Sequence, residues 1–476
     1  MKIYNTMSKS IEKIVPIQEG RIGFYACGPT VYDYAHLGHL RKYTMDDVLV
    51  RALRRSGFEV RFVQNVTDVG HLSSDEDHGE DKLEKGAKKY KQSVFDVARR
   101  FEKHFYYSLD QMNCVRPDVS CRASENIPEQ LEMVKQLEEK GFTYIIEGDG
   151  VYFDTSKIKD YGKLAGLDAK KLKEGIRIEK NVNKKNPTDF ALWKFEREGE
   201  NRAMAWESPW HKRSFPGWHI ECSAMSMKYL GDQLDIHTGG IDHIPVHHSN
   251  EIAQAESATG KKPFVRYWVH HNFLQVEGKK MSKSLGNFYT IDDVIKRGFS
   301  PASLRLFFLT AHYRSEQNFT WKNLVGTQKT WYKIVDLVNK LKSKLKDDKS
   351  NTGSNLYESY NHAFFSEIDN DFNTPKALVV FWKVVNDEAL SSREKYRLLL
   401  GFDEVLGLGL AGISQRDGKT VKTFSKEVNN LLNQRYKARK DKQWEKADEI
   451  RKKINDLGYD VNDDDKGNQI LEIKKV

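Results

Sequence analysis

Two short words constrain this chain more than any other feature: His36-Leu37-Gly38-His39 near the front and Lys280-Met281-Ser282-Lys283-Ser284 past the middle. The first follows an apolar run at 21 to 27 (RIGFYAC) that breaks at Gly28-Pro29. It opens a stretch in which Leu37, Leu40, Val48, Leu49, Ala52 and Leu53 recur near period 3.6. A strand that ends in glycine and passes into a helix is the first β-α unit of a nucleotide-binding parallel sheet. Residues 58 to 66 supply its second strand. Either word alone is weak, since HLGH suits an ordinary helix start and a lysine-rich loop suits water. In this order they point to adenylate formation from ATP on an α/β, Rossmann-like domain.

The texture of the chain changes between about 116 and 205. A helical segment at 127 to 140, strand-like YIIE and GVYFD, and a basic stretch read as an insertion. The sheet pattern resumes with a helix (WHIECSAMSMKYL), a strand (QLDIHTGG) and a helix from His247. After about 300 no strand pattern is expected until the end; Trp331, Ile334, Val335, Val338, Leu341 and Leu345 keep helical spacing. The polar runs KDDKSNTGSN and GISQRDGKT read as linkers. Val428, Leu431 and Leu432, then Trp444, Ala447, Ile450, Ile454 and Leu457, mark two terminal helices. The expected domains are a catalytic first half (1–115), a connective insertion (116–205), a catalytic second half (206–297), two helical regions (298–346 and 356–410) and a small C-terminal unit (424–476).

Cys27 ends the first strand, and His247 and Glu251 stand four apart, on one face of a helix. With Cys222 they make a thiolate, imidazole and carboxylate set that suits tetrahedral zinc. On spacing alone a plainer arrangement, buried cysteines with a helix-surface His-Glu pair, stands beside the metal. Four cysteines in 476 residues exclude a disulfide framework. A net charge of +9 fits a polyanion partner or a solvated lysine-rich surface. No apolar run is long enough for a membrane helix and no signal peptide is evident, so a cytoplasmic protein is expected.

The words FYACGPTVYD, PGWHIECSAMS, DIHTGGIDH and HHSNEIAQ, with HLGH and KMSKS, resemble the cysteinyl-tRNA synthetase family along nearly the whole chain. The resemblance implies a class I catalytic fold with an α-helical anticodon-binding region and a small C-terminal domain. It implies one zinc held by Cys27, Cys222, His247 and Glu251 that binds the substrate's thiol. Thr67, Trp218 and His237 would line the cysteine pocket. His36, Gly38, His39, Gly239, Gly240, Asp242 and Lys283 would contact ATP, which carries Mg²⁺, and His36, His39, Lys280 and Lys283 would act in catalysis. Partners would be L-cysteine, ATP and the cysteine tRNA, met by a monomer.

DFNTPKAL (371 to 378) is similar to the family's helical anticodon-binding block. Residues 426 to 456 hold ten Lys/Arg against six Asp/Glu, with Arg435, Tyr436, Lys437, Arg439 and Lys440 adjacent, and the resemblance turns this charged helix pair into a tRNA reader. Arg439, Asp448 and Asp465 would then contact bases. The chain departs from the family in reading TGGIDHIPVHHSNE and in ending without a tryptophan after Gly467, though the ligand positions survive. Cys114 and Cys121 receive no role. A ligase that passes cysteine to a small amino-sugar acceptor would share the core but lack the helical tail. A zinc hydrolase would leave KMSKS unexplained, and a noncatalytic RNA-binding protein would account for the charge but not for the metal set.

Overall fold

The computed structural model describes residues 1–70, 81–166, 183–282, 285–345, 353–414, 426–457, 459–463 and 469–473. A hairpin, β1 (Lys2–Asn5) and β2 (Ser10–Lys13), precedes β3 (Arg21–Ala26), α1 (Leu37–Arg55) and β4 (Glu59–Val66). Next come α2 (Lys82–Tyr90), α3 (Val94–Gln111), β5 (Val119–Arg122), α4 (Ile127–Glu139), β6 (Thr143–Ile146) and β7 (Gly150–Phe153). Then follow β8 (Phe190–Phe195), β9 (Ser214–Pro216), α5 (Trp218–Leu230), β10 (Leu234–Gly240), α6 (His247–Thr259) and β11 (Val265–His271). The chain divides into two compact units, the first of Met1–Ala35, Leu53–Tyr107 and Arg116–Asn272.

In the first unit five strands form one parallel sheet in the order β11-β10-β3-β4-β5. The chain builds outward from β3 through β4 to β5, then returns to lay β10 on the other side of β3. That reversal is a topological switch point, and in such sheets ligands bind beyond the carboxyl ends of the two flanking strands. Cys27 follows β3 at this end, and its N–H donates to the Thr238 carbonyl of β10 at 3.1 Å. Phe24, Tyr25, Ala26, Val63 and Val66 are all buried, since a parallel sheet is covered on both faces. The insertion forms an antiparallel sheet, β6-β7-β8-β9, over a core of Val134, Leu137, Phe153, Leu192 and Trp193.

The second unit comprises His36–Ala52, Ser108–Val115 and Phe273–Val476. It adds β12 (Leu274–Val276), β13 (Lys279–Lys280), α7 (Ile291–Lys296), α8 (Pro301–Leu309), β14 (Gln317–Phe319) and α9 (Trp321–Lys344). The helices α10 (Asn355–Asp369), α11 (Thr374–Asn386), α12 (Ser392–Leu406), α13 (Lys426–Lys440) and α14 (Trp444–Asp456) follow, then β15 (Tyr459–Asp463) and β16 (Gln469–Ile473). The expectation of no strand after about 300 is corrected by β14, which pairs in parallel with β12. Three residues between a turn and the N-cap Thr320 are too few to display an alternating pattern. The terminal pair of helices is joined by a further hairpin, β15 with β16. Trp444 starts α14 but is 55 % exposed, so it is no core residue; Ala447, Ile450 and Ile454 carry that core with Val428 and Val461.

Arg305 of α8 ties this unit together. Its Nε donates to the Leu406 carbonyl at 2.7 Å, its Nη1 to the Met112 carbonyl at 2.9 Å, and its Nη2 pairs with Asp47 of α1. Tyr459 of β15 donates its hydroxyl to the carbonyl of Arg297, the residue that caps α7, at 2.8 Å. Among the described residues no helix is long and apolar enough to cross a membrane.

Candidate active site

Cys27, Cys222, His247 and Glu251 come together in the first unit, their ligand atoms all within 4.8 Å of one another. Three elements deliver them: the end of β3, the second turn of α5, and the first two turns of α6. None is more than 4 % exposed. The plainer reading of a helix-surface His-Glu pair fails because both residues face inward. Glu251 Oε2 accepts a hydrogen bond from His237 Nε2 at 2.8 Å. Its Oε1 lacks an aligned hydrogen-bond donor although His247 Nε2 lies 3.0 Å away. His247 Nδ1 lies 2.9 Å from His219 Nδ1, which leaves Nε2 turned toward the cluster. Two thiols, a ring nitrogen and an under-satisfied carboxylate oxygen converging in a buried space are a donor set that fits a divalent cation, with His219 and His237 orienting two of the ligands.

Electrostatics agree with crowded lone pairs. The Cys222 thiol is pushed well above its ordinary range by Cys27 beside it and by burial. Burial pulls His247 down, but Glu251 and Cys222 outweigh it and raise its pKa to about 10. Glu251 is held far below the usual carboxylate range because His237 and His247 overcome the cost of burial. A second set, Cys27, His237, His248 and Glu251, satisfies the same spacing. In that set His248 Nε2 lies 3.4 Å from Cys27 Sγ and its Nδ1 lies 2.8 Å from His270 Nε2.

Trp218 is half-buried on α5, its ring centroid 4.7 Å from that of His247. Thr67 is buried after β4, donates to Glu221 Oε2 at 3.0 Å and accepts from Asn65 Nδ2 at 3.2 Å. His237 is fully buried against Glu251. Gly239 and Gly240 end β10 at the switch point and Asp242 follows, exposed, in a single turn. A Cβ at Gly239 would lie 2.5 Å from the His248 ring and 2.7 Å from His243 Nδ1, so the histidine nest requires glycine there.

The two words of the sequence both fall in the second unit. The Leu37 N–H donates to the Tyr289 carbonyl at 2.9 Å and His36 bridges to Thr290, so HLGH abuts the chain just past KMSKS. The His36 and His39 rings stack at 3.6 Å. Each Nδ1 accepts the other residue's backbone N–H at 3.3 Å, which places the ring proton of a neutral imidazole on Nε2. Burial lowers His36 to a pKa of about 4. A Cβ on Gly38 would lie 2.9 Å from the His36 ring, so glycine here protects the imidazole's orientation. Lys280 is exposed on β13, and Asn287 fastens the loop by donating to the Lys280 carbonyl at 3.2 Å and accepting from the Ser282 N–H at 2.8 Å. Lys283 lies outside the described residues.

In the terminal module Arg439 pairs with Asp463 at 3.1 Å and sits 5.7 Å from the Trp444 ring; Asp448 is exposed on α14, and Asp465 lies outside the described residues. Arg435, adjacent in sequence to this basic group, is buried and held by Asp463, so it belongs to the module's core. Sequence reasoning missed His219, His248, Glu221 and Asn287. Their partners lie far along the chain or in an irregular loop, where no periodic pattern flags them.

Residues 13–329 match the family described as tRNA synthetases class I (C) catalytic domain, and residues 422–470 match the cysteinyl-tRNA ligase anticodon binding domain. A cysteine–tRNA ligase of Treponema denticola is 41 % identical over 97 % of this chain and 98 % of its own. Cysteine–tRNA ligase 1 of Burkholderia lata is 42 % identical over 99 % of this chain and 97 % of its own. The methionyl-tRNA synthetase of Mycobacterium tuberculosis, solved with methionyl-adenylate, superposes with a TM-score of 0.57 at 15 % identity, covering 84 % of this chain and 93 % of that one; at that identity it speaks for the fold alone.

Proposed function

The chain belongs to the cysteine–tRNA ligase family of class I synthetases, and on that premise we propose that Cys27, Cys222, His247 and Glu251 hold a zinc ion against which the substrate is selected by its sulfur. The protein is an ATP-dependent ligase that joins cysteine to tRNA. Zinc, when bound, prefers a thiolate to a neutral hydroxyl and lowers the pKa of the thiol it ligates. Ordinary contacts would reject serine by only about 100-fold. The observation that carries the reading is the buried convergence of two thiols, an imidazole and a carboxylate whose Oε1 lacks an aligned donor.

Around that centre Trp218 closes over the amino acid, Thr67 borders it, and His237 fixes Glu251. The substrate carboxylate attacks the α-phosphorus of ATP and pyrophosphate departs, so no protein nucleophile is needed and the chain's work is placement and charge. His36 and His39 offer Nε2–H donors at the mouth of α1, whose N-terminus favours phosphate. Lys280 and Lys283 supply cations to the phosphates, and ATP brings Mg²⁺. Gly239, Gly240 and Asp242 receive the adenosine. The catalytic halves are 1–115 and 206–297, split by the insertion 116–205; 298–346 contacts the stem of tRNA, and 356–410 and 424–476 read its anticodon through Arg439, Asp448 and Asp465. The enzyme works as a cytoplasmic monomer.

The test is ATP-pyrophosphate exchange with cysteine and with serine, before and after chelation and after zinc is restored. Exchange with cysteine should vanish with the metal and return with it; full activity in metal-free protein overturns the reading. X-ray absorption on the zinc protein should count two protein sulfurs near ~2.3 Å. A single sulfur would favour the set containing His237 and His248 instead.

A further inference from the structure

Arg41 lies two residues past His39 on α1 and is 1 % exposed. Its Nη1 donates to the Phe273 carbonyl at 3.3 Å, and its Nη2 to the carbonyls of His312 and Ser315 at 3.1 and 2.7 Å. Those three carbonyls are not scattered. Phe273 immediately precedes β12, and Ser315 precedes β14, the strand that pairs in parallel with β12 through Leu274 and Gln317. The Gln317 N–H donates to the same Phe273 carbonyl at 3.2 Å. On the other edge of β12 lies β13, which carries Lys280 and passes directly into the KMSKS loop. The Lys280 ammonium stands 5.9 Å from the Phe273 ring. One guanidinium on the HLGH helix therefore grips both strand entries of the small sheet from which the second signature projects.

Burying a guanidinium is costly, and a hydrophobic side chain of similar volume would stabilise a core at least as well. What Arg41 supplies that such a residue does not is a planar fork with donors at fixed angles, which a lysine's point charge cannot reproduce. We propose that Arg41 is a positioning residue for adenylate formation, fixing the strand base of the KMSKS loop against the HLGH helix so that the two phosphate-binding signatures meet ATP in register. The inference rests on the assignment of both signatures to ATP. Because the reaction proceeds by placement, a misfit of about 1 Å is enough to cost about 100-fold in rate.

The test compares Arg41→Lys, Arg41→Ala and Lys280→Ala in the full-length zinc protein. In folded Arg41→Lys the kcat for cysteine-dependent pyrophosphate exchange should fall about 100-fold, with the KM for cysteine changed less than about twofold, since cysteine is held by other residues. Added guanidinium should restore part of the rate of Arg41→Ala, whereas equal ammonium should not. Wild-type kcat in Arg41→Lys, equal losses in kcat and cysteine affinity, or no guanidinium rescue overturns the proposal. Failure of both variants to fold also overturns it, by assigning Arg41 to core stability. Lys280→Ala separates this from the underlying assignment: it should slow exchange, and if it does not, the signature reading fails whatever Arg41 does.

Discussion

Cys222 sits on the second turn of α5 with its thiol against that of Cys27, inside a large domain whose core also includes Tyr25, Val63, Met225 and Trp268. Serine at this position removes a soft ligand while leaving that core in place. Cys222→Ser should therefore lose zinc and at least about 100-fold in kcat/KM for cysteine, with the thermal midpoint little changed; metal analysis and pyrophosphate exchange measure both. His36 gives a second expectation. Its pKa of about 4, against 6.5 for an ordinary histidine, follows from burial. Unfolding must then take up a proton between those values, so its contribution makes stability fall as pH drops from about 6.5 to about 4. Imidazole NMR should show a neutral Nε2–H ring at pH 7 and a midpoint near pH 4; a midpoint above 6 would contradict the half-buried, stacked geometry. The convergence of Cys27, Cys222, His247 and Glu251 was legible in the sequence through their chemistry and flanking words. His219 and His237 were not legible as ligand-orienting partners, because which nitrogen meets which carboxylate is decided by folding.

The long helices were readable from their apolar period, as α9 shows: Trp331, Ile334, Val335, Val338 and Leu341 are all buried. Short pieces were not. The hairpin β12–β13 and the three-residue β14 have too few residues to alternate, and their pairing depends on contacts distant in sequence. Helix ends carry information that a substitution can expose. Gly407 closes α12 at φ 62°, and a Cβ there would lie 2.4 Å from Arg305 Nη2, a group already anchored to Asp47 and the Leu406 carbonyl. Gly407→Ala should cost at least about 1–2 kcal/mol from the left-handed backbone alone. Gly401, inside the same helix, has open space where a Cβ would stand, with nothing within 4 Å, and Gly401→Ala should be neutral or stabilise by about 0.5–1 kcal/mol. Thermal and urea unfolding of the two variants check the contrast; equal effects would contradict the backbone cost assigned to Gly407.

Across the whole molecule the residues assigned to activation lie before 290, and the terminal module, whose match to the anticodon binding domain covers 422–470, begins past Ser414. Deleting 415–476 retains Ile413, which is buried and whose carbonyl accepts from Lys342 Nζ at 2.6 Å. The truncated enzyme should keep cysteine-dependent exchange within about twofold, losing the Tyr459 contact to Arg297, while transfer to tRNA falls at least about 100-fold through lost phosphate and base contacts. tRNA binding by the intact protein should weaken steadily with added salt, as displaced counterions require. Undiminished transfer by the truncated chain would reassign the tail to stability. The order of catalytic core and helical tail was visible in the sequence as a change of period. The division into units that interleave along the chain was not, because His36–Ala52 and Ser108–Val115 group with residues far downstream.

Cys27 and Cys222 are two of only four cysteines in the chain. Each was itself inserted by a ribosome using cysteine that an earlier copy of this enzyme had charged. With zinc held as proposed, a copy in which serine slipped into position 27 or 222 loses a ligand of the ion that tells the two amino acids apart, and with it the capacity to feed translation. Under the proposed assignment, errors of the kind the centre prevents silence the molecules that carry them, so the fidelity of each generation of enzyme rests in part on the metal site of the one before.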